Sequence, residues 1–428
     1  MSTQNRQRSM PHARPSAATA LFLAALTLAA SCAPGGADGK HPGEAWVAAW
    51  GASPHAFQAF GSTEIAPFFE NQTVRQIVSV SVGGTRLRVR FSNEAGDAPL
   101  RIGAASVAIS GGEASVRPDS LRKLQFGGRD SIVVPPGAPA LSDPVDLPVA
   151  ALEPLAVSVY LPGPTPANTV HMGRTAFVSP AGDRTQAVDL DGAEKTTNLV
   201  FLTGVYVRAT GGAGVIAAFG DSITDGTAST PHTCNSWPDH LARRLAGGAR
   251  PLAVINHGIA GNQLLGRGAG PCALARFDRD VLATPGLSHI VVLVGINDIG
   301  SGGMVFPGSP GPAPETPAAE DLIAGYRQLI ARAHSMSPPV AIYGATLTPF
   351  EGTFAGYYTP EKDAIRTAVN EWIRTGGEFD GVIDFERAIQ DPAHPSRMAP
   401  EYDSGDRLHP GDAGYRRMAE SIDLALFE

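Results

Sequence analysis

Four short blocks in the second half of the 428-residue chain carry residue types that could act together on a carbonyl group. Ser222, within Gly220-Asp221-Ser222-Ile223-Thr224, is a hydroxyl that becomes a nucleophile once a base takes its proton. A base of suitable strength stands in Asp403-Ser404-Gly405-Asp406-Arg407-Leu408-His409-Pro410, because an imidazole titrates near neutral pH and can both take and return a proton. Asp403 and Asp406 are both candidates to hold that ring. Gly295-Ile296-Asn297-Asp298 offers a carboxamide, which donates without carrying charge. Asn256-His257-Gly258-Ile259-Ala260-Gly261-Asn262 offers a glycine, Gly261, at which backbone can approach a substrate; donors of both kinds can stabilise an oxyanion. Each block also has a plainer reading: Ser222 as a helix cap, Gly261 as a loop glycine, Asn297-Asp298 as a turn, His409 as a surface residue.

The surrounding pattern places these blocks. From Gly211-Gly212-Ala213-Gly214 onward, short apolar strands at about 215–219, 252–256, 289–294, 340–346 and 382–385 alternate with helical stretches at 237–245, 318–334, 361–375 and 412–426. Such alternation means a parallel sheet with helices on its faces, and ligands then sit beyond the carboxyl ends of the strands. Ser222, Gly261 and Asn297 follow the first, second and third of those strands, and His409 precedes the last helix.

Residues 46–210 have period two instead. In Arg86-Leu87-Arg88-Val89-Arg90-Phe91 the apolar residues share one face and the arginines the other. With Ile77-Val78-Ser79-Val80-Ser81-Val82 before it and Gly83-Gly84 between, the pair reads as a β-hairpin. Further strands are expected at 102–109, 131–134, 155–161 and 199–207, which favours a β-sandwich-like region.

A net charge of −8 and the lack of any Lys/Arg-rich run argue against a nucleic-acid partner. Arg6, Arg8 and Arg14 before the apolar run 17–30 read as an export signal, too short to span a bilayer. Ala30-Ser31-Cys32 makes Cys32 a candidate for lipidation, so a membrane is expected to be met only through such an anchor. The other two cysteines, Cys234 and Cys272, are a candidate disulfide in an oxidising compartment, with two free thiols as the alternative. His55, His171, His257 and His394 form no cluster at metal-ligand spacing, and no metal or other cofactor is expected.

The elbow of the α/β-hydrolases is absent, since Thr224 stands where its second glycine belongs. The four blocks, in order, resemble those of the SGNH hydrolases, also called GDSL esterases or lipases. That resemblance implies a flavodoxin-like three-layer α/β/α domain with a parallel sheet. It makes Ser222 the nucleophile, His409 its base and Asp406 the residue orienting the imidazole, and assigns the oxyanion hole to Ser222, Gly261 and Asn297. Residues 46–54, 71–92 and 142–145 further resemble secreted bacterial members that carry an N-terminal β-rich region. The expected organisation is therefore a signal peptide and flexible tether (1–43), a β-sandwich-like accessory domain (44–210) and a catalytic domain (211–428). The expected protein is an exported monomer, periplasmic or extracellular, hydrolysing short acyl esters on an acetylated polysaccharide or oligosaccharide. A lipase or arylesterase is the alternative within the chemistry, and a non-catalytic carbohydrate-binding or adhesion module the alternative outside it.

Overall fold

The structure is a computed structural model that describes residues 45–57, 66–171, 173–266, 268–305 and 312–428. The expected export segment and Cys32 lie outside the described residues. Among the described residues, no helix is long and apolar enough to cross a membrane.

Beside smaller two- and three-stranded ones, the first half builds two large antiparallel sheets. One contains Ala45–Gly51, Leu202–Ala209, Gly84–Ser92, Pro139–Leu141 and Val145–Val149. The other runs Glu194–Thr196, Ala176–Ala181, Gln72–Ser79, Pro154–Leu161, Ala104–Gly112 and Ser115–Val116, with Arg122–Lys123 beside Ala104–Gly112. Leu87, Val89 and Phe91 are fully buried, as the alternation requires.

The hairpin expected across Gly83-Gly84 is not formed. Gln72–Ser79 pairs with Pro154–Leu161 and Ala176–Ala181 in one sheet, whereas Gly84–Ser92 pairs with strands of the other. Neither glycine has a positive φ, which a two-residue hairpin turn would need. Their lack of a side chain serves close approach instead: a Cβ on Gly83 would lie 2.6 Å from the Val149 carbonyl, and one on Gly84 2.6 Å from that of Arg208. The strand expected at 199–207 is also broken, at Phe201, whose φ of 61 interrupts Leu199–Val200 and Leu202–Ala209.

The second half holds a five-stranded parallel sheet in the order Leu252–Gly258, Gly214–Gly220, Leu287–Leu293, Ala341–Ala345, Gly381–Ile383. In chain order this is 2-1-3-4-5, so the chain reverses its direction of growth beside the first strand. All seven residues of Gly214–Gly220 are buried, which is why that strand reads as unbroken apolar sequence. Helices Trp237–Leu245, Ala319–His334 and Pro360–Thr375 match the expected stretches. The last helix is shorter than its pattern suggests. It spans Asp412–Ser421, turns extended at Ile422 and resumes as a 3-10 turn, Leu424–Phe427. Arg244 takes the freed carbonyls of Ala419 and Ile422, and Ile422 and Phe427 are buried, so packing outweighs helix continuation.

Cys234 and Cys272 are free, a correction to the expected bridge. Cys234 is half-buried near Ser79, Asp239 and Arg174, while Cys272 precedes the helix Ala273–Phe277 and takes part in its first turn. Each thiol belongs to a different neighbourhood, and a bridge demands Cα atoms within about 7 Å.

The described residues fall in one compact unit with one continuous core running through both halves. The outer edge of the parallel sheet is closed by the first half. Ser81 Oγ accepts the Val254 N–H at 2.9 Å and donates to the Ala49 carbonyl at 2.8 Å, so the edge strand keeps its donor satisfied. Ser81→Ala would strand a buried N–H and is expected to lower stability by about 1–3 kcal/mol. The urea midpoint reads this, and a midpoint unchanged from the parent protein would contradict it.

Candidate active site

The Gly214–Gly220 strand delivers the chain to a sharp elbow. A Cβ at Gly220 would lie 2.2 Å from Thr224 Oγ1 and 2.3 Å from the Leu293 carbonyl, so only glycine fits. Asp221 caps the single helical turn Ser222–Asp225, its Oδ1 accepting the Ile223 N–H at 3.0 Å. The capping role that could have explained Ser222 is thus filled by its neighbour, and Ser222 occupies the first helical position.

Ser222 is buried, and its hydroxyl has an acceptor: Oγ lies 2.8 Å from His409 Nε2. The opposite ring nitrogen, Nδ1, is 2.6 Å from Asp406 Oδ2. A carboxylate there can only accept, so the ring proton sits on Nδ1, and Nε2 presents its lone pair to the serine hydroxyl. Asp406 Oδ1 accepts the backbone N–H groups of Leu408 and His409. Burial works to raise the Asp406 carboxyl, but the His409 ring and these backbone donors hold it well below the usual carboxylate range. It is therefore a fixed anion behind the imidazole. Asp403, the other acidic candidate, instead binds the N–H groups of Gly405 and Arg407 and the Arg407 guanidinium.

The loops carrying Gly261 and Asn297 follow the two strands flanking Gly214–Gly220. They are tied to each other. Asn297 Nδ2 donates to the Asn262 carbonyl at 3.0 Å, and Gln263 Nε2 donates to the Asn297 carbonyl at 3.2 Å. Asp298 accepts the N–H groups of Leu264 and Leu265 at 2.7 and 2.8 Å, while burial raises its carboxyl to about 6. Gly261 has φ +73, a conformation open to glycine at little cost.

Two further residues shape the site. Tyr357 donates its hydroxyl to Asn297 Oδ1 at 2.8 Å. With the amide oxygen fixed in this way and one Nδ2 hydrogen on Asn262, the second Nδ2 hydrogen is left for another acceptor. Arg276, fully enclosed, donates to the carbonyls of Gly220 and His257 and to the side chains of Asn262, Ser53 and Asp280. Nothing in the sequence links Tyr357 to Asn297. The Arg276–Asp280 pair does have a readable signal, the i,i+4 spacing of opposite charges.

A serine hydroxyl bound to an oriented imidazole, with a carboxylate behind it and amide donors on the adjoining loops, can carry out acyl transfer. A family model described as GDSL-like Lipase/Acylhydrolase matches residues 218–417, the span that contains every one of these groups except Ser53. Residues 218–417 thus form a GDSL-like acylhydrolase domain. No curated protein matches it. Among solved structures, the GDSL domain is similar to a carbohydrate acetylesterase from Sinorhizobium meliloti, at 16% identity over 49% of this chain and 96% of that one, with a TM-score of 0.37. An acetylxylan esterase from Geobacillus stearothermophilus matches at 21% identity, 50% and 93% coverage and TM-score 0.36. A GDSL-like lipase from Bacteroides thetaiotaomicron VPI-5482 matches at 16% identity, 50% and 87% coverage and TM-score 0.36.

Two outcomes are expected of the GDSL site. Tyr357→Phe frees the Asn297 amide to turn and should lower kcat on p-nitrophenyl acetate by about tenfold, less than the ~10²–10³ that loss of a whole donor costs, with KM little changed. Unchanged kcat would show that the amide needs no such restraint. Asp221 is buried, and burial raises its carboxyl to about 7 from 3.8. Its folded pKa exceeds its unfolded one, so the stability it contributes is complete below about pH 4 and is lost as pH rises through 7. Asn cannot ionise, so the stability of Asp221→Asn relative to the parent should climb from pH 4 to 7; a flat difference in urea midpoints would refute this.

Proposed function

We propose that this GDSL hydrolase is an exported serine esterase that cleaves short acyl esters, chiefly acetyl groups on carbohydrate, through an acyl-Ser222 intermediate. The observation that carries the reading is the continuous relay from Ser222 Oγ through His409 to Asp406, at 2.8 and 2.6 Å. In this mechanism the Ser222 proton passes to His409 Nε2 as Oγ attacks the ester carbonyl carbon. The oxyanion is met by the N–H groups of Ser222 and Gly261 and the Asn297 amide, and Asp406 steadies the imidazolium. The collapse breaks the ester C–O bond and His409 returns the proton to the leaving alcohol. Water, activated by the same imidazole, then releases the acid and restores Ser222.

The preference for small acyl groups rests on the near-complete enclosure of Ser222 and on the Gly/Pro-rich segment 300–317 beside Asn297, whose composition does not suit a broad apolar lid. Exposed Phe354, 4.7 Å from the Tyr357 ring, offers an aromatic face that suits a sugar. The same Phe354, with exposed Val305, favours a second reading, an aryl or lipid ester. A purely carbohydrate-binding or adhesive module is disfavoured by an assembled relay it would not use. In the same proposal, residues 211–428 are the three-layer α/β/α catalytic domain and 44–210 a β-sandwich-like accessory domain. Export follows from the 17–30 run, with Cys32 as a tether.

Ser222→Ala is expected to reduce release of p-nitrophenol from the acetate ester by about 10³-fold or more while the unfolding midpoint is retained. Equal turnover would sink the assignment. Turnover should fall as the p-nitrophenyl acyl chain grows beyond four carbons, with acetic acid released from acetylated xylan; rates that increase toward long chains would favour the lipid reading.

A further inference from the structure

A small cavity of about 70 Å³ lies where the two halves of the molecule meet, lined among others by Gly51, Arg90, Thr203, Tyr206, His257 and Arg279. It is separate from the relay: His257 belongs to the end of the Leu252–Gly258 strand and Arg90 to Gly84–Ser92.

Its walls present hydrogen-bond donors without acceptors to match. Arg276 Nη1 donates to Ser53 Oγ at 2.9 Å, and Ser53 Oγ lies 3.1 Å from His257 Nδ1. The Ser53 hydroxyl hydrogen therefore has Nδ1 as its acceptor, which places the ring proton of His257 on Nε2. Burial depresses the His257 pKa to about 3, so the ring is neutral and carries that one N–H. Nε2 is buried and has no hydrogen-bond partner. It faces the cavity wall at Gly51, where a Cβ would stand 3.6 Å from it. Arg90 donates to Thr203 Oγ1 at 2.9 Å but has no carboxylate partner among the described residues, leaving a half-buried positive charge with donors to spare. The one carboxylate in the lining, Asp280, is occupied by Arg276 and Arg279.

An unpaired buried donor is costly, and the His257 Nε2–H beside the unneutralised Arg90 guanidinium forms the complement of an anion. The volume sets its size. The space is about half of the ~150 Å³ that holds a benzene ring, which admits chloride or an acetate-sized carboxylate and excludes a sugar. We propose that this cavity binds one small monovalent anion between the Arg90 guanidinium and the His257 Nε2–H, and that the anion fastens the β-rich region to the hydrolase domain.

Thermal unfolding of the whole exported chain tests this. Sodium chloride, bromide or acetate is titrated from zero at constant ionic strength against sodium gluconate, whose anion is too large to enter. Tm should rise saturably, by about 3 °C, in chloride or acetate. Arg90→Met should abolish the rise. Bromide-soaked crystals of the unaltered protein, read by anomalous scattering, should show a peak between Arg90 and His257, which keeps the test independent of how well the variant folds. A Tm identical in all four salts with no bromide peak, or a rise undiminished in Arg90→Met, would overturn the proposal and leave the cavity to water. Because no readout is esterase turnover, the result stands apart from the assignment of Ser222.

Discussion

A guanidinium sealed from solvent must place its N–H groups on acceptors that the fold supplies, and Arg276 places its own at the most consequential point of this molecule. Its donors reach the last carbonyl of the Gly214–Gly220 strand, the His257 carbonyl near the end of the adjacent strand, the side chain of Asn262 beside Gly261, Ser53 from the first half of the chain, and Asp280 one turn onward. Its face lies over the Phe219 ring, 4.2 Å from the centroid. Burial draws its pKa down only to about 10, so the charge survives at neutral pH. The elbow that carries Ser222 and the loop that carries Gly261 are consequently held to a single reference point, and neither can shift without breaking bonds of the other.

The remaining donors are restrained in the same manner, by groups from elsewhere in the chain. Asn297 is oriented by Tyr357 and anchored on Asn262, while its neighbour Asp298 grips the loop at Leu264 and Leu265. Pre-organised dipoles of this kind need no reorganisation when charge develops on a substrate. The half of the molecule with no assigned chemistry takes part through Ser53 and Ser81, which join the buried network and close the sheet edge.

The parallel sheet was readable because its inner strands, Gly214–Gly220 above all, are buried on both faces and so leave an apolar run bounded by glycine or helix signals. The Ser222–His409 pairing was legible through the family resemblance, with the serine after the first strand and the histidine before the last helix, and the structure brings the two together. The choice between Asp403 and Asp406 rested on resemblance alone, and the structure separates them by which atoms each carboxylate meets. What stayed hidden depended on contacts that leave no periodic trace. Gly83-Gly84 has the composition of a turn but is used for close approach to Val149 and Arg208. Asp412–Ser421 stops where its amphipathic pattern continues, because Arg244 can satisfy the freed carbonyls. Tyr357 and Arg276 act on partners 60 and 56 residues away, a separation no local pattern encodes.

The hydrogen bond between Ser222 and His409 spans 187 residues of sequence. During synthesis from the amino terminus, the elbow and both donor loops emerge long before the imidazole that would activate the serine. In the proposed mechanism a nascent chain therefore lacks its base until His409 has been added. The relay closes only when residues from opposite ends of the GDSL domain have been brought together.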